Sequence, residues 1–404
     1  MLTLNQHPSG RHFLQIPGPS PVPDRILRAM SLPTIDHRGP EFGRLGLKVL
    51  AGIQQIFQTQ HPVAIYPASG TGAWEAALAN TMSPGDAVLM FETGQFATLW
   101  QKMATRLGLQ TEFLSEPGTC SETGLPASWR RGVNAALIEE RLRADTGHQI
   151  RAVCVVHNET STGVTSDIAA VRRAIDSAKH PALLMVDTIS GLASADYRHD
   201  AWGVDVAISG SQKGLMLPPG LSFNAVSDKA LKASKAARFP RSFWDWEEMI
   251  AINAKGYFPY TPATNLLQGL KVALDMLDEE GLPQVFARHD RAAEATRRAV
   301  RHWGFETVCA KSSDYSSSLT AVFLPEGHSA DNLRKIILER SNMSLGNGLG
   351  RLADRVFRIG HLGDFHDLMV TGTLSGVEMG LAVAGIPHKP GGVQAAMTYL
   401  QGNA

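Results

Sequence analysis

Short apolar runs that end abruptly in small polar or charged residues recur along this chain. Val63-Ala-Ile-Tyr66, residues 86–90, Ala152-Val-Cys-Val-Val156, Ala182-Leu-Leu-Met-Val-Asp187, Val206-Ala-Ile208 and residues 221–226 are the clearest. Runs this short and this apolar, bounded by turn formers, read as buried strands. Helical patterns begin near Ala73, around Ile138-Glu-Glu-Arg-Leu-Arg, over 168–178 and at Asp228. Strands alternating with helices at this spacing predict an α/β fold on a mostly parallel, doubly wound sheet.

The two ends of the chain read differently. Residues 1–21 are polar and rich in proline, among them Pro8, Pro17 and Pro19, which predicts an arm without regular structure. Asp24 is placed to cap a helix over 25–30, and 33–40 reads as a loop that either connects elements at the surface or lines the site. A long helix over about 265–301, broken at Gly281-Leu-Pro283, leads into shorter pieces at 317–324, 331–339, 356–360 and 374–384. These predict a small α+β unit. The expected division is an arm at 1–21, a large domain at 22–280 and a small C-terminal domain at 281–404.

Composition narrows the function by exclusion. The 38 basic and 38 acidic residues balance, so no basic field favours nucleic acid or an anionic membrane surface. Cys120, Cys154 and Cys309 are widely spaced without a CxxC pair, and the N-terminus lacks a leader pattern; both predict a reducing, cytoplasmic location. No run approaches a membrane span, and the histidines show no metal-ligand spacing, so no metal is expected. A small-molecule partner remains.

The chemistry lies at strand ends. Asp205-Val-Ala-Ile-Ser-Gly-Ser-Gln-Lys213 delivers a lysine just past a buried run, with Ser209 to Gln212 read as the loop beyond the strand. Asp187 closes the run before it, where open α/β sheets place ligand groups. An aspartate for a pyridinium nitrogen and a lysine for an aldehyde are what pyridoxal phosphate requires. Upstream, Ser69-Gly70-Thr71-Gly72 turns a strand into a helix and offers free N–H groups and hydroxyls to a phosphate. Arg358 sits in the apolar run Phe357-Arg-Ile-Gly-His361, where a guanidinium needs a partner, either an internal carboxylate or a substrate carboxylate. His157 suits either a packing or a catalytic role.

With these motifs in this order, from Ile16-Pro-Gly-Pro19 to Phe357-Arg-Ile-Gly-His-Leu-Gly363, the chain resembles the class V aminotransferases of fold type I, of the kind that includes serine–glyoxylate and alanine–glyoxylate aminotransferases. The resemblance implies a pyridoxal 5'-phosphate enzyme that moves an amino group from a small L-amino acid, serine foremost, to glyoxylate, giving glycine and a 2-oxo acid. It implies a homodimer with active sites at its interface. Lys213 and Asp187 become the catalytic residues. Ser69, Gly70, Thr71 and Gln212 become phosphate ligands, Phe96 the aromatic cover of the ring and Thr160 the partner of its phenolic oxygen. Thr261 and Tyr260 are matched to a pair that reaches the neighbouring subunit's phosphate, the tyrosine position itself falling on Phe258, and Arg358 binds the substrate carboxylate.

One departure stands out: Gly191 occupies a position where a second small hydroxyl residue is expected after Ser190, which bears on the substrate pocket. Alanine, aspartate and 3-hydroxyaspartate remain alternative donors, the acidic ones served by His37, Arg38 and Arg241. No cysteine sits in a loop suited to desulfuration, Gly70-Thr-Gly72 lacks the dinucleotide pattern, and a pyridoxal-binding regulator would need a DNA-binding module that is not evident.

Overall fold

The computed structural model describes residues 10–121 and 123–402, so the first nine residues of the expected arm lie outside the described residues. A seven-stranded sheet forms the centre, in the order Val63–Tyr66, Ser222–Val226, Val206–Gly210, Leu183–Asp187, Ile150–Val156, Ala87–Phe91, Gln110–Leu114. The last five run parallel to one another. Ser222–Val226 runs antiparallel to both of its neighbours, because the connection from Gly210 to Ser222 is too short for a crossover.

Alternation along each strand divides the core. Leu184, Val186, Val153 and Val155 join one apolar cluster with Ile168, Val171 and Ile175 of the Ile168–Ser177 helix. Leu183, Met185, Ala152 and Cys154 join the other with Trp74, Ala77 and Trp100 from helices Gly70–Thr81 and Gln95–Arg106. Successive side chains point to opposite faces, so strands apolar at every position demand helices on both sides, and the sheet is covered on both sides.

A second, four-stranded sheet has the order Phe13–Gln15, Met343–Asn347, Val356–Gly360, Leu319–Phe323. It packs on helices Leu282–Trp303, Ala330–Ser341, Asp367–Val383 and Gly392–Gly402. Its first strand corrects the expectation of an irregular arm: Phe13–Gln15 pairs in parallel with Met343–Leu345. A three-residue strand fits between Pro8 and Pro17 because its hydrogen-bond partners come from a sheet edge, not from its own neighbourhood.

Other local expectations also shift. Asp24 is the first residue of helix Asp24–Met30, not its cap; Pro23 precedes it, and the Asp24 carboxylate takes a hydrogen bond from Arg11 at 3.3 Å. Ser209 and Gly210 belong to the strand that was expected to stop at Ile208. Helix Thr264–Glu280 ends at Gly281, whose φ of 82° suits glycine, and Leu282–Trp303 restarts with Pro283 in its first turn, where a missing N–H costs nothing. The unanticipated helix Pro40–Phe57 presses against a loop so closely that a Cβ on Gly46 would meet the Gly256 carbonyl oxygen at 2.0 Å.

Candidate active site

Parallel strands deliver their C-terminal residues to one edge of the sheet, and the functional side chains collect there. Asp187 ends its strand at 3% exposure. Its Oδ1 accepts the Ile189 N–H at 2.8 Å and its Oδ2 the Trp74 indole N–H at 2.9 Å. Burial pushes the carboxyl up to about 7, against the opposing pull of these donors. Lys213 follows the next strand at 9% exposure, and burial, with Arg358 adding like charge, pulls its amine down to about 8. The amine donates to the Pro17 carbonyl at 2.6 Å, its one hydrogen-bond partner among the described residues.

The hairpin Asn158–Glu159 / Val164–Thr165 carries the next group. Thr160 Oγ1 donates to Ser190 Oγ at 2.7 Å, and Ser190 in turn donates to the Asn158 carbonyl at 2.9 Å. Fully buried Glu159 sits at the start of helix Gln95–Arg106, accepting the Phe96 and Ala97 N–H groups at 3.3 and 3.1 Å and the Ser161 hydroxyl at 2.6 Å. A carboxylate at a helix N-terminus is favoured by the unpaired donors there. It ties Phe96 to the hairpin that holds Thr160.

The Ser69–Thr71 turn opens helix Gly70–Thr81 with no side-chain cap. Gly210 brings Gln212 to it: a Cβ on Gly210 would lie 3.5 Å from the Gly70 nitrogen and 3.0 Å from Gln212 Oε1. Gln212 Oε1 is buried with no hydrogen-bond partner. The uncapped helix start fits a phosphate group, and the Gln212 carboxamide beside it would serve through its Nε2 donors once the amide is turned over, since Oε1 only accepts. Thr261 is exposed, whereas the Tyr260 hydroxyl is turned into its own chain, donating to the Ile65 carbonyl, with its ring stacked on Phe243.

Arg358 reaches the same place from the four-stranded sheet. Nε donates to the Asn347 carbonyl and Nη1 to the Thr160 carbonyl, both at 2.7 Å. At 6% exposure the guanidinium is pulled down to about 10 by burial, yet among the described residues no carboxylate pairs with it. Among the described residues the internal salt bridge that the sequence left open is not formed.

Comparison with known proteins decides the family. The family model described as Aminotransferase class-V matches residues 14–349. The chain is 48% identical to the serine–glyoxylate aminotransferase of Methylorubrum extorquens over 98% of its length and 97% of the relative's. It is 46% identical to the L-aspartate–glyoxylate aminotransferase of Paracoccus denitrificans over 95% of both chains. This chain is a class V aminotransferase. Its fold matches that of the pyridoxamine–pyruvate aminotransferase of Mesorhizobium loti with a TM-score of 0.88 at 25% identity, covering 98% of this chain and 100% of the other.

Within this aminotransferase the structure brings Asp187, Lys213, Thr160 and Arg358 to one sheet edge, with Ser69, Gly70, Thr71, Phe96 and Gln212 on the turns beside them. His157 belongs to the packing: it is 2% exposed, bonds Thr188 Oγ1 at 3.1 Å, and packs its ring on Tyr197 and Trp202. Gly191 faces that same ring, since a Cβ there would lie 2.6 Å from His157 Nδ1. The missing hydroxyl therefore makes room for a histidine. Sequence reasoning passed over Trp74, Glu159 and the Pro17 carbonyl. Only Trp74 carried a hint, an indole in the first turn after the phosphate-type loop.

Proposed function

We propose that this aminotransferase uses pyridoxal 5'-phosphate to move an amino group from a small L-amino acid, serine foremost, to glyoxylate. The observation that carries the reading is the convergence on one sheet edge of a buried aspartate, a buried lysine and an arginine that no carboxylate of the described residues pairs with. When bound, the cofactor supplies an aldehyde that exchanges amines and a ring that takes up electrons from the substrate Cα. Lys213 is the residue that would join that aldehyde. Ser69, the Gly70 and Thr71 N–H groups and Gln212 would hold the phosphate, Phe96 would cover the ring, and Thr160 would face the phenolic oxygen.

The residues' own chemistry follows from their surroundings. Asp187, held by Trp74 and Ile189, would keep a proton on the ring nitrogen, and such a cation would in turn restore the carboxylate's charge by lowering its pKa. Lys213, with its amine near 8, can both take and give a proton close to neutral pH, as transfer from Cα requires. Arg358 retains Nη2 for a carboxylate, the group that donor and acceptor share. Glycine and a 2-oxo acid are the products.

We place the boundary of the large and small domains at the Gly281 break and the active sites in a homodimer, where exposed Thr261 would reach the partner's phosphate site. The engagement of Tyr260 with Ile65 leaves Thr261 as the stronger of the two candidates. Of the three residues named for an acidic donor, Arg241 is already held by Asp245 at 3.2 Å and by the Ser234 carbonyl at 2.8 Å, which supports serine, while His37 and Arg38 keep the acidic donor as the second reading. The three cysteines, none in a disulfide, suit the reducing cytosol.

The test is the visible spectrum of the purified protein before and after L-serine, without glyoxylate. A yellow band that serine converts to the amine form of the cofactor supports the reading. A band that serine leaves intact moves the donor to alanine or an acidic amino acid, and no band after incubation with pyridoxal phosphate overturns the assignment of Lys213. Lys213→Ala is expected to abolish turnover.

A further inference from the structure

Residues 16–20 touch both halves of the site. At one end the segment continues from the strand Phe13–Gln15, paired with Met343–Leu345. There it is packed so tightly along the Arg358 strand that a Cβ on Gly360 would lie 2.2 Å from the Ile16 carbonyl oxygen, and one on Gly346 would lie 2.7 Å from Pro17 Cδ and 3.0 Å from Arg358 Cβ. At the other end Ser20 fixes the backbone of the lysine loop: its N–H donates to the Gln212 carbonyl at 3.0 Å and its hydroxyl to the Lys213 carbonyl at 2.8 Å. Between these anchors the Pro17 carbonyl receives the Lys213 amine at 2.6 Å.

We propose that the Pro17 carbonyl is the station that holds the Lys213 amine whenever that amine is not joined to the cofactor, and that Gly18 is required to let the chain pass beside it. The inference rests on the functional reading above and adds a positioning role for the N-terminal segment. Gly18 has a φ of 92°, and a Cβ there would lie 2.4 Å from both Cδ and Nζ of Lys213. Any larger residue would occupy the space in which the parked lysine lies. The turn is set by the Gly18 N–H donating to the Ile16 carbonyl at 2.7 Å, which leaves the intervening Pro17 carbonyl directed at the amine.

A buried amine without an acceptor is unfavourable, so this bond stabilises the states in which Lys213 is free, namely the cofactor-free protein and the form carrying the cofactor as an amine. It adds nothing when the lysine nitrogen is joined to the aldehyde. The station therefore shifts the balance between the aldehyde and amine forms, and it does so from a segment anchored beside Arg358.

The experiment titrates holoenzyme with mixtures of L-serine and its 2-oxo acid and reads, from the visible spectrum, the ratio at which half of the cofactor is in the amine form. Gly18→Ala is expected to require a serine ratio higher by about tenfold or more, the size of one buried hydrogen bond to an ionisable group, with unchanged circular dichroism. An unchanged midpoint in a folded variant overturns the proposal. A crystal structure of the unmodified enzyme in its amine form provides a second measurement that does not depend on the variant folding: Lys213 Nζ within hydrogen-bond distance of Pro17 O is expected, and Nζ turned away from it overturns the station. Failure of the functional reading shows earlier and differently, as a protein whose spectrum never develops a band or whose band no amino donor changes, and it takes the station down with it.

Discussion

The Trp74 indole N–H donates to Asp187 Oδ2 at 2.9 Å, linking the helix that follows the Ser69–Thr71 turn to the carboxylate at the centre of the site. The ring is buried and stacked on Trp100 at 6.0 Å between centroids, so the donor is held rigidly. Trp74→Phe keeps most of the apolar volume and removes one donor to an ionisable group, worth about 1.5–3 kcal/mol. In the cofactor-free protein the Asp187 carboxyl then rises above about 7, and in the loaded enzyme the carboxylate that keeps the ring nitrogen protonated loses one of its two donors. We expect turnover near pH 7 to fall by about tenfold and the deficit to widen as pH falls, measured as a pH profile of kcat. A profile that superimposes on the wild type would show that the indole is only packing.

Arg358 is buried but spends its donors on two carbonyls and no carboxylate. Arg358→Lys retains charge but not the fork. An ammonium cannot keep both carbonyl contacts and the aimed Nη2 donor at once, and losing that charge-assisted bond, worth about 1.5–3 kcal/mol, is expected to raise KM for both the amino donor and the 2-oxo acceptor by about 10- to 100-fold. Steady-state kinetics with each substrate varied in turn check this. An effect on one substrate alone would place the shared carboxylate elsewhere.

How far the sequence foretold this arrangement depended on where the determining contact lies. Asp187, Lys213 and Arg358 were legible because each closes or interrupts an apolar run, and the alternation that buries those runs is local. Trp74, Glu159 and the Pro17 carbonyl were not, because their roles arise only when distant segments meet: a helix start with a strand end, a hairpin with a helix N-terminus, an arm with a lysine. The strand Phe13–Gln15 was hidden among prolines for the same reason. Gln110–Leu114 was missed because an edge strand with exposed or half-buried residues has no long apolar run to announce it. Gly191 was noticed as a departure, but its meaning lay in His157, which no local pattern connects to it.

The Gly191–His157 contact makes a prediction of coupling. Gly191→Ser places a Cβ 2.6 Å from His157 Nδ1 and 2.9 Å from Thr188 Oγ1, and overpacking of a dense interior costs about 1–3 kcal/mol. We expect a loss of that size in urea denaturation. In a His157→Ala background, itself destabilised by its cavity, the same change should cost at least 1 kcal/mol less, a coupling of the kind seen between touching residues. Strict additivity would mean that the loop relaxes without the histidine.

The buried Asp187 carboxyl sets a pH dependence of stability in the cofactor-free protein. Its folded value is near 7, while the unfolded chain ionises near an ordinary carboxyl value of about 3.9. Between those values the folded state retains a proton that the unfolded state has released, so this group's contribution to stability falls as pH rises through the window and levels off above it. Buried histidines act in the opposite sense: His157, His199 and His289 are pulled down to about 4 by burial, so their contribution is lost as pH falls below about 6.5. The whole-protein curve mixes the two, and Asp187→Asn separates them. From pH 5 to pH 8 the wild type is expected to lose on the order of 2–3 kcal/mol relative to the variant, at about 1.4 kcal/mol per pH unit. Urea denaturation at each pH reads the difference. Parallel curves for the two proteins would show that Asp187 is ionised throughout, and adding pyridoxal phosphate to the wild type should abolish its relative loss, because a ring nitrogen that carries a proton opposite the carboxylate makes the charged form the stable one.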